Sequence, residues 1–106
     1  MSDDDTPLEA GSGIPQGALS RELPIINKRG LHARASAKFV QMVERFNAEI
    51  WVTRGSETVG GTSIMGLMML AASPGTTITV EATGKEAAEV IAALAELIES
   101  RFGEQD

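Results

Sequence analysis

The sequence has no cysteine, a single histidine, few aromatic residues and no long apolar run. Among its 106 residues there is one tryptophan, three phenylalanines and no tyrosine. The lack of thiols excludes disulfides and thiolate metal sites, and one histidine cannot build a typical transition-metal site. No segment approaches the ~20 apolar residues of a membrane-spanning helix. We therefore expect no metal, no cofactor and no membrane insertion.

The N-terminal residues are also unlike a targeting signal. Residues 1–5 include three consecutive aspartates and no apolar segment, which argues against a secretory signal peptide. The absence of cysteine permits a reducing compartment, so a cytoplasmic protein is expected. Residues 1–19 contain glycine and proline but no hydrophobic periodicity, and are predicted to be a disordered acidic tail. Residues 20–106 then form one small domain.

Charge is distributed unevenly along the chain. The formal net charge is −6, yet residues 28–54 contain six basic and two acidic residues. Such asymmetry is typical of a surface for an anionic ligand or an acidic partner protein, although solvated helix faces can differ by chance. A nucleic-acid-binding domain is disfavoured because the overall charge is negative and interleaved aromatic residues are missing.

Two hydrophobic periods alternate after residue 22. A period of two predicts strands and a period near 3.6 predicts helices. We expect strands at residues 23–27, 48–53, 57–60 and 77–83, and helices at residues 33–46, 64–70 and 85–101. The order β-α-β-β-α-β-α predicts an α+β fold, with a four-stranded antiparallel sheet that carries three helices on one face.

The only histidine, His32, lies where a turn and basic residues give way to an amphipathic run. Its ring should therefore lie at a helix N-terminus, where unpaired N–H groups favour an anion. Arg34 would stabilise that anion, with Arg29 a weaker candidate, and Gly30 would leave the approach to the ring open. This combination indicates a phosphoryl group carried on His32.

The residues alone also allow an interpretation without phosphate chemistry. A histidine at a helix start is commonly a capping or packing residue, and Arg34 would then be a solvated first-turn side chain. The chain would in that case be a small α/β module that binds a ligand or partner without phosphate chemistry.

Three segments resemble one family in order and spacing. Gly30-Leu31-His32-Ala33-Arg34 resembles the active-site motif of HPr, the histidine-containing phosphocarrier of the bacterial phosphotransferase system. Residues 62–68 resemble its regulatory-serine segment, and residues 74–84 its last strand and following turn. The resemblance implies an open-faced β-sandwich. It also implies a stoichiometric carrier, rather than an enzyme, that accepts phosphate on Nδ1 of His32 from phosphorylated enzyme I and passes it to a IIA protein.

One position departs from the family pattern. A proline commonly follows the motif arginine, and this chain has Ala35 there. Proline in a first helical turn loses no hydrogen bond, so alanine should preserve the helix with slightly less preorganisation. Together with Arg29, this change resembles the nitrogen-related branch of the family.

Ser63 and the residues after it suggest a second functional region. Ser63 is predicted to cap the short helix, and the resemblance implies that an HPr kinase/phosphorylase phosphorylates it. Met65 and Met68 are expected to be exposed and to contact partners together with Arg29 and Lys38, while the rest of the methionine-rich cluster is core. We expect a monomer.

Overall fold

Four strands form the sheet in the computed structural model, which describes residues 14–104. The strands are β1 (Leu19–Pro24), β2 (Glu49–Arg54), β3 (Glu57–Gly60) and β4 (Thr77–Thr83). All of them pair antiparallel, in the order β1-β4-β2-β3. Because β4 lies between β1 and β2, the last strand of the sequence is central and the first lies at an edge.

Three helices pack on one face of this sheet. They are α1 (Ala33–Val43), α2 (Ile64–Met69) and α3 (Ala87–Glu99), and a 3-10 turn, Arg101–Gly103, follows the last of them. The longest spans 13 residues, so none of the helices in residues 14–104 could cross a bilayer.

The hydrophobic core fills the space between the sheet and the helices. Strand β4 shows this most clearly, since Ile78, Val80 and Ala82 are fully buried while the residues between them are partly exposed. This alternation is the period of two that predicts the strand from the sequence. The helices add further buried side chains, chiefly Phe39, Val43, Leu67, Val90, Leu94 and Ile98. The α+β architecture with an open-faced sheet is confirmed.

The first strand begins four residues earlier than predicted. Residues 19–22 of β1 are all exposed, because β1 is an edge strand with only β4 beside it. Exposed edge residues show no apolar alternation, so the sequence pattern places the strand too late. At the predicted position Ile25 still exchanges backbone hydrogen bonds, donating to Thr76 and accepting from Gly75, but the chain then turns.

Helix ends also differ from the prediction. The first helix ends at Val43 rather than near Phe46, because the N–H groups of Arg45 and Phe46 bond to carbonyls three residues back and tighten the turn. The last helix ends at Glu99, after which Arg101 adopts a positive φ of 59°. A left-handed residue at this position is a common helix terminator.

The predicted tail falls largely outside the described residues. Residues 1–13 are not described, and residues 14–18 include a turn in which the Ala18 N–H bonds to the Pro15 carbonyl. The division into a tail of residues 1–19 and a domain of residues 20–106 stays a prediction.

Candidate functional site

The loop before α1 is held by a glycine that no other residue can replace without strain. Gly30 is buried with φ at +66°, and a Cβ there would lie 2.3 Å from the Ala72 carbonyl oxygen. The next residue, Leu31, donates its N–H to that same oxygen at 2.9 Å. Gly30 therefore lets the backbone approach Ala72 closely. The prediction that it keeps the approach to His32 open is wrong, since the glycine is buried against Ala72.

His32 is the N-cap residue of α1. Its backbone is extended, with φ −75° and ψ −177°, and its carbonyl accepts the Ser36 N–H at 2.8 Å. The imidazole makes no capping hydrogen bond to the helix backbone, so the interpretation of His32 as a side-chain cap is wrong. The N–H groups ahead of Ser36 in this first turn have no i−4 carbonyl to bond, which leaves the helix end suited to an anion.

The imidazole is instead bonded to a carboxylate from the C-terminal end of the chain. Nε2 of His32 lies 2.6 Å from Oε2 of Glu104, and the two side chains are 22% and 11% exposed. Nδ1 forms no hydrogen bond within residues 14–104. The two ring nitrogens are therefore distinct: one is occupied by the carboxylate, and the other has its lone pair or proton free.

The Glu104 carboxyl group is charged at neutral pH. Burial alone would raise its pKa, but the hydrogen bonds donated by His32 and Asn27 outweigh burial and hold the pKa below its usual range. The ionised carboxylate can only accept hydrogen bonds. His32 and Asn27 must therefore both be donors in these contacts.

Asn27 joins the loop to this carboxylate. Its buried Nδ2 donates to the Gly30 carbonyl and to Glu104 Oε2, each at 2.8 Å. Two buried oxygens, Asn27 Oδ1 and Glu104 Oε1, have no hydrogen-bond partner among the described residues. Unsatisfied buried polar atoms are rare, and a catalytic role is one of the recognised explanations for them.

A strained turn carries Glu104 back to the histidine. Arg101 and Phe102 both have positive φ, 59° and 56°, although neither is glycine. Phe102 is buried with 1% exposure, and Nζ of Lys38 donates to its carbonyl at 2.6 Å. The predicted docking residue Lys38 is thus bound to the C-terminal turn, and Phe102 anchors that turn in the core.

The two predicted arginines are both exposed. Arg29 and His32 line a shallow depression of about 200 Å³ together with Leu31 and residues 71–73. Arg34 lies in the first turn of α1, and its guanidinium makes no hydrogen bond or ion pair in the part of the chain that the structure describes. Both guanidinium groups are therefore available to an incoming anion.

Ser63 caps α2, as the sequence predicts. Its Oγ accepts the Gly66 N–H at 2.9 Å, and the residue is exposed. Ser63 is not one of the residues that line the depression beside His32.

The methionine-rich helix exposes more of its apolar residues than expected. Met65 and Met68 are 71% and 41% exposed, which confirms their predicted exposure. The prediction that the remainder is core is wrong for Met69, which is also exposed, and right for Leu67. A helix of six residues presents only one narrow face to the sheet, and Leu67 occupies it.

Sequence reasoning missed Asn27 and Glu104 as parts of the site. Asn27 gives a weak signal, because it is a polar residue at the end of an apolar run. Glu104 gives none, since nothing local marks one acidic residue in an acidic C-terminal segment. Among residues 14–104 no group of three or more His, Asp or Glu side chains is placed to hold a metal ion. The arrangement suits a neutral imidazole that attacks an electrophile through Nδ1 beside anion-binding groups.

Comparison with known proteins points to one family. The family model described as the PTS HPr component phosphorylation site matches residues 19–100. The chain is 54% identical over 86 residues to the phosphocarrier protein HPr of Neisseria meningitidis, which covers 81% of this chain and 97% of that protein. It is 37% identical to the phosphocarrier protein NPr of Shewanella violacea, over 81% of this chain and 94% of the other. A crystal structure of HPr from Thermoanaerobacter tengcongensis is similar with a TM-score of 0.79 and 43% identity, covering 83% of this chain and 99% of that one.

Proposed function

Because this chain belongs to the HPr family, the phosphocarriers of the bacterial phosphotransferase system, we propose that His32 accepts a phosphoryl group from phosphorylated enzyme I and passes it to a IIA protein. Proteins of this family are carriers rather than catalysts, and we propose the same stoichiometric role here. A cytoplasmic location and a monomeric state belong to this proposal, and assignment to the nitrogen-related branch stays a prediction.

The observation that carries the proposal is the state of the His32 ring. Nε2 is bonded to Glu104, while Nδ1, at the N-terminus of α1, has no hydrogen-bond partner among the described residues. In the transfer step the Nδ1 lone pair forms the new bond to phosphorus. The bond between phosphorus and the donor breaks, and its electron pair stays with the donor. The negative charge of the bound phosphoryl group is stabilised by the first-turn N–H groups and by Arg34.

Transfer of labelled phosphate tests this function directly. The protein is incubated with phosphoenolpyruvate and an enzyme I that is shown to be active on its own partner. We expect one acid-labile phosphate per chain, which a IIA protein then removes. A folded protein that takes up no label from several such enzymes would favour the module that binds a partner without phosphate chemistry.

We further propose that Ser63 is a regulatory phosphorylation site for a kinase of the HPr kinase/phosphorylase type. Its side chain is exposed, and its position at the N-terminus of α2 tolerates added negative charge. The fold should therefore survive phosphorylation, while the added charge repels acidic partners.

Ser63→Ala is expected to abolish incorporation by the kinase and to lower the free energy of unfolding by about 1 kcal/mol, because the Gly66 N–H loses its acceptor. Phosphate incorporation and urea denaturation measure the two effects. Ser56→Ala is the control, since Ser56 is exposed in the turn between β2 and β3 and caps no helix. Equal incorporation in the wild type and Ser63→Ala would contradict the kinase site.

The exposed face of α2 and the start of α1 are proposed to dock partner proteins. Met65 and Met68 supply adaptable apolar contacts, and Arg34 supplies positive charge. Arg29 is exposed beside His32 and belongs to the same surface. Lys38 contributes less than its charge suggests, because its ammonium group already binds the Phe102 carbonyl.

Arg34→Glu is expected to weaken binding of unphosphorylated enzyme I strongly at low ionic strength and less at high salt, because exposed charges are screened. Titration calorimetry at two salt concentrations measures this change. Arg45→Glu makes the same charge reversal at an exposed residue just beyond the other end of α1, and should have a smaller effect. An affinity for Arg34→Glu that does not depend on salt would contradict electrostatic docking.

A further inference from the structure

We propose that Glu104 is a positioning residue for phosphoryl transfer, whose carboxylate accepts the Nε2–H of His32 and so keeps the Nδ1 lone pair free to attack. This inference rests on the proposed role of His32 as the acceptor. Its starting observation is the 2.6 Å contact between Nε2 and Glu104 Oε2. Glu104 lies beyond residues 19–100, which the family model matches, so the match itself says nothing about this side chain.

The direction of the hydrogen bond follows from the state of the carboxylate. Glu104 is ionised at neutral pH and offers only acceptor oxygens. Asn27 donates to the same oxygen, Oε2, that faces the imidazole. A neutral His32 ring must therefore carry its proton on Nε2, since the other tautomer would set two lone pairs against each other. In that tautomer Nδ1 is the nucleophilic nitrogen.

The C-terminal turn is shaped to deliver this carboxylate. Two consecutive residues that are not glycine, Arg101 and Phe102, adopt positive φ, which is a strained conformation for a residue with a side chain. Burial of Phe102 and the Lys38 hydrogen bond to its carbonyl hold the strained turn in place. Backbone strain that the surroundings enforce is concentrated at functional sites. In this protein the strained turn places the Glu104 carboxylate in contact with the His32 ring.

Charge gives Glu104 a second effect on the same step. When Nδ1 bonds to phosphorus while Nε2 keeps its proton, the ring gains a positive charge and the donor keeps the electron pair of the broken bond. The carboxylate at Nε2 stabilises that imidazolium without taking its proton, as a buried aspartate does beside the histidine of a serine protease. Glu104 therefore orients the ring before the reaction and stabilises its charge during it.

Two variants separate orientation from charge. In Glu104→Gln the amide oxygen must face Asn27 Nδ2, because the amide nitrogen there would oppose another donor. The variant thus keeps an acceptor for Nε2–H but loses the charge. Glu104→Leu loses both. Glu99→Gln is the matched control, since it removes one negative charge from an exposed residue at the end of α3.

Ring ¹⁵N chemical shifts at alkaline pH report the tautomer, and phosphate transfer from enzyme I reports the rate. We expect Nε2–H in the wild type, Glu99→Gln and Glu104→Gln, and a several-fold larger share of Nδ1–H in Glu104→Leu. Transfer should slow roughly tenfold or more in Glu104→Leu and by an intermediate factor in Glu104→Gln, as for other residues that orient a reacting side chain. Glu99→Gln should transfer at the wild-type rate.

An unchanged tautomer in Glu104→Leu, or a wild-type transfer rate in that variant, would overturn the proposal. The tautomer measurement needs no phosphate donor. Failure of the proposed function, seen as no label on the wild type, is therefore distinguishable from failure of this proposal, seen as unchanged ring spectra. Thermal unfolding of each variant shows that the spectra come from folded protein.

Discussion

Replacing His32 with alanine is expected to abolish phosphate uptake from phosphorylated enzyme I while the fold persists. The chain has one histidine, so no second imidazole can replace the lost nucleophile. The ring is 22% exposed and caps no backbone group, so removing it opens no cavity in the core. Glu104 keeps its hydrogen bond from Asn27 in the variant. Uptake should fall below detection, measured as acid-labile label on the protein.

A second variant shows whether the loss is chemical rather than structural. In His32→Gln the amide group can still donate a hydrogen bond to the Glu104 carboxylate, but it has no nucleophilic ring nitrogen. It should resemble the wild type in thermal unfolding and resemble His32→Ala in phosphate uptake. Label that remains on either variant at the wild-type level would place the acceptor on another residue and remove the basis for the transfer step described above.

The strands and helices could be predicted wherever burial is one-sided. Strand β4 was predicted with its observed limits, because it lies in the middle of the sheet and alternates strictly between buried and partly exposed residues. The start of α1 was equally clear from the turn before it. Strand β1 was misplaced because an edge strand that exposes four residues in succession has no periodic signal. Apolar periodicity in the sequence arises where one face of a strand or helix is buried, so an element without a buried face cannot be predicted from it.

The residues of the candidate site could likewise be predicted only where neighbours in the sequence position them. His32, its helix and Ser63 are adjacent in sequence to the turns and caps that position them, so the motif predicts them. Glu104 is 72 residues away from His32 and 77 from Asn27 along the chain. Its position depends on the end of α3, on two left-handed residues and on the burial of Phe102. No local sequence pattern encodes that combination, so the sequence does not predict this carboxylate at the site.

Phe102→Ala is expected to be the most destabilising of the substitutions considered. The side chain is 1% exposed, and truncating a buried phenylalanine typically costs about 3–5 kcal/mol, because apolar contacts are lost and a cavity remains. Alanine also keeps the unfavourable positive φ of 56° without the burial that offsets it. Urea denaturation measures the change. Phe46→Ala is the matched control, because Phe46 is only partly buried at the edge of the core and should cost less.

Phe102→Ala should also change the tautomer of the His32 ring, because Phe102 holds the turn that carries Glu104. Once the turn is released, the carboxylate loses its fixed position, and the His32 tautomer should shift as in Glu104→Leu even under conditions where the variant is folded. Phe46→Ala has no such connection and should leave the ring signals unchanged. If Phe102→Ala lowers stability by the expected amount but the ring signals stay as in the wild type, then Asn27 alone suffices to hold Glu104. The core residue would in that case support the fold without setting the geometry of the histidine.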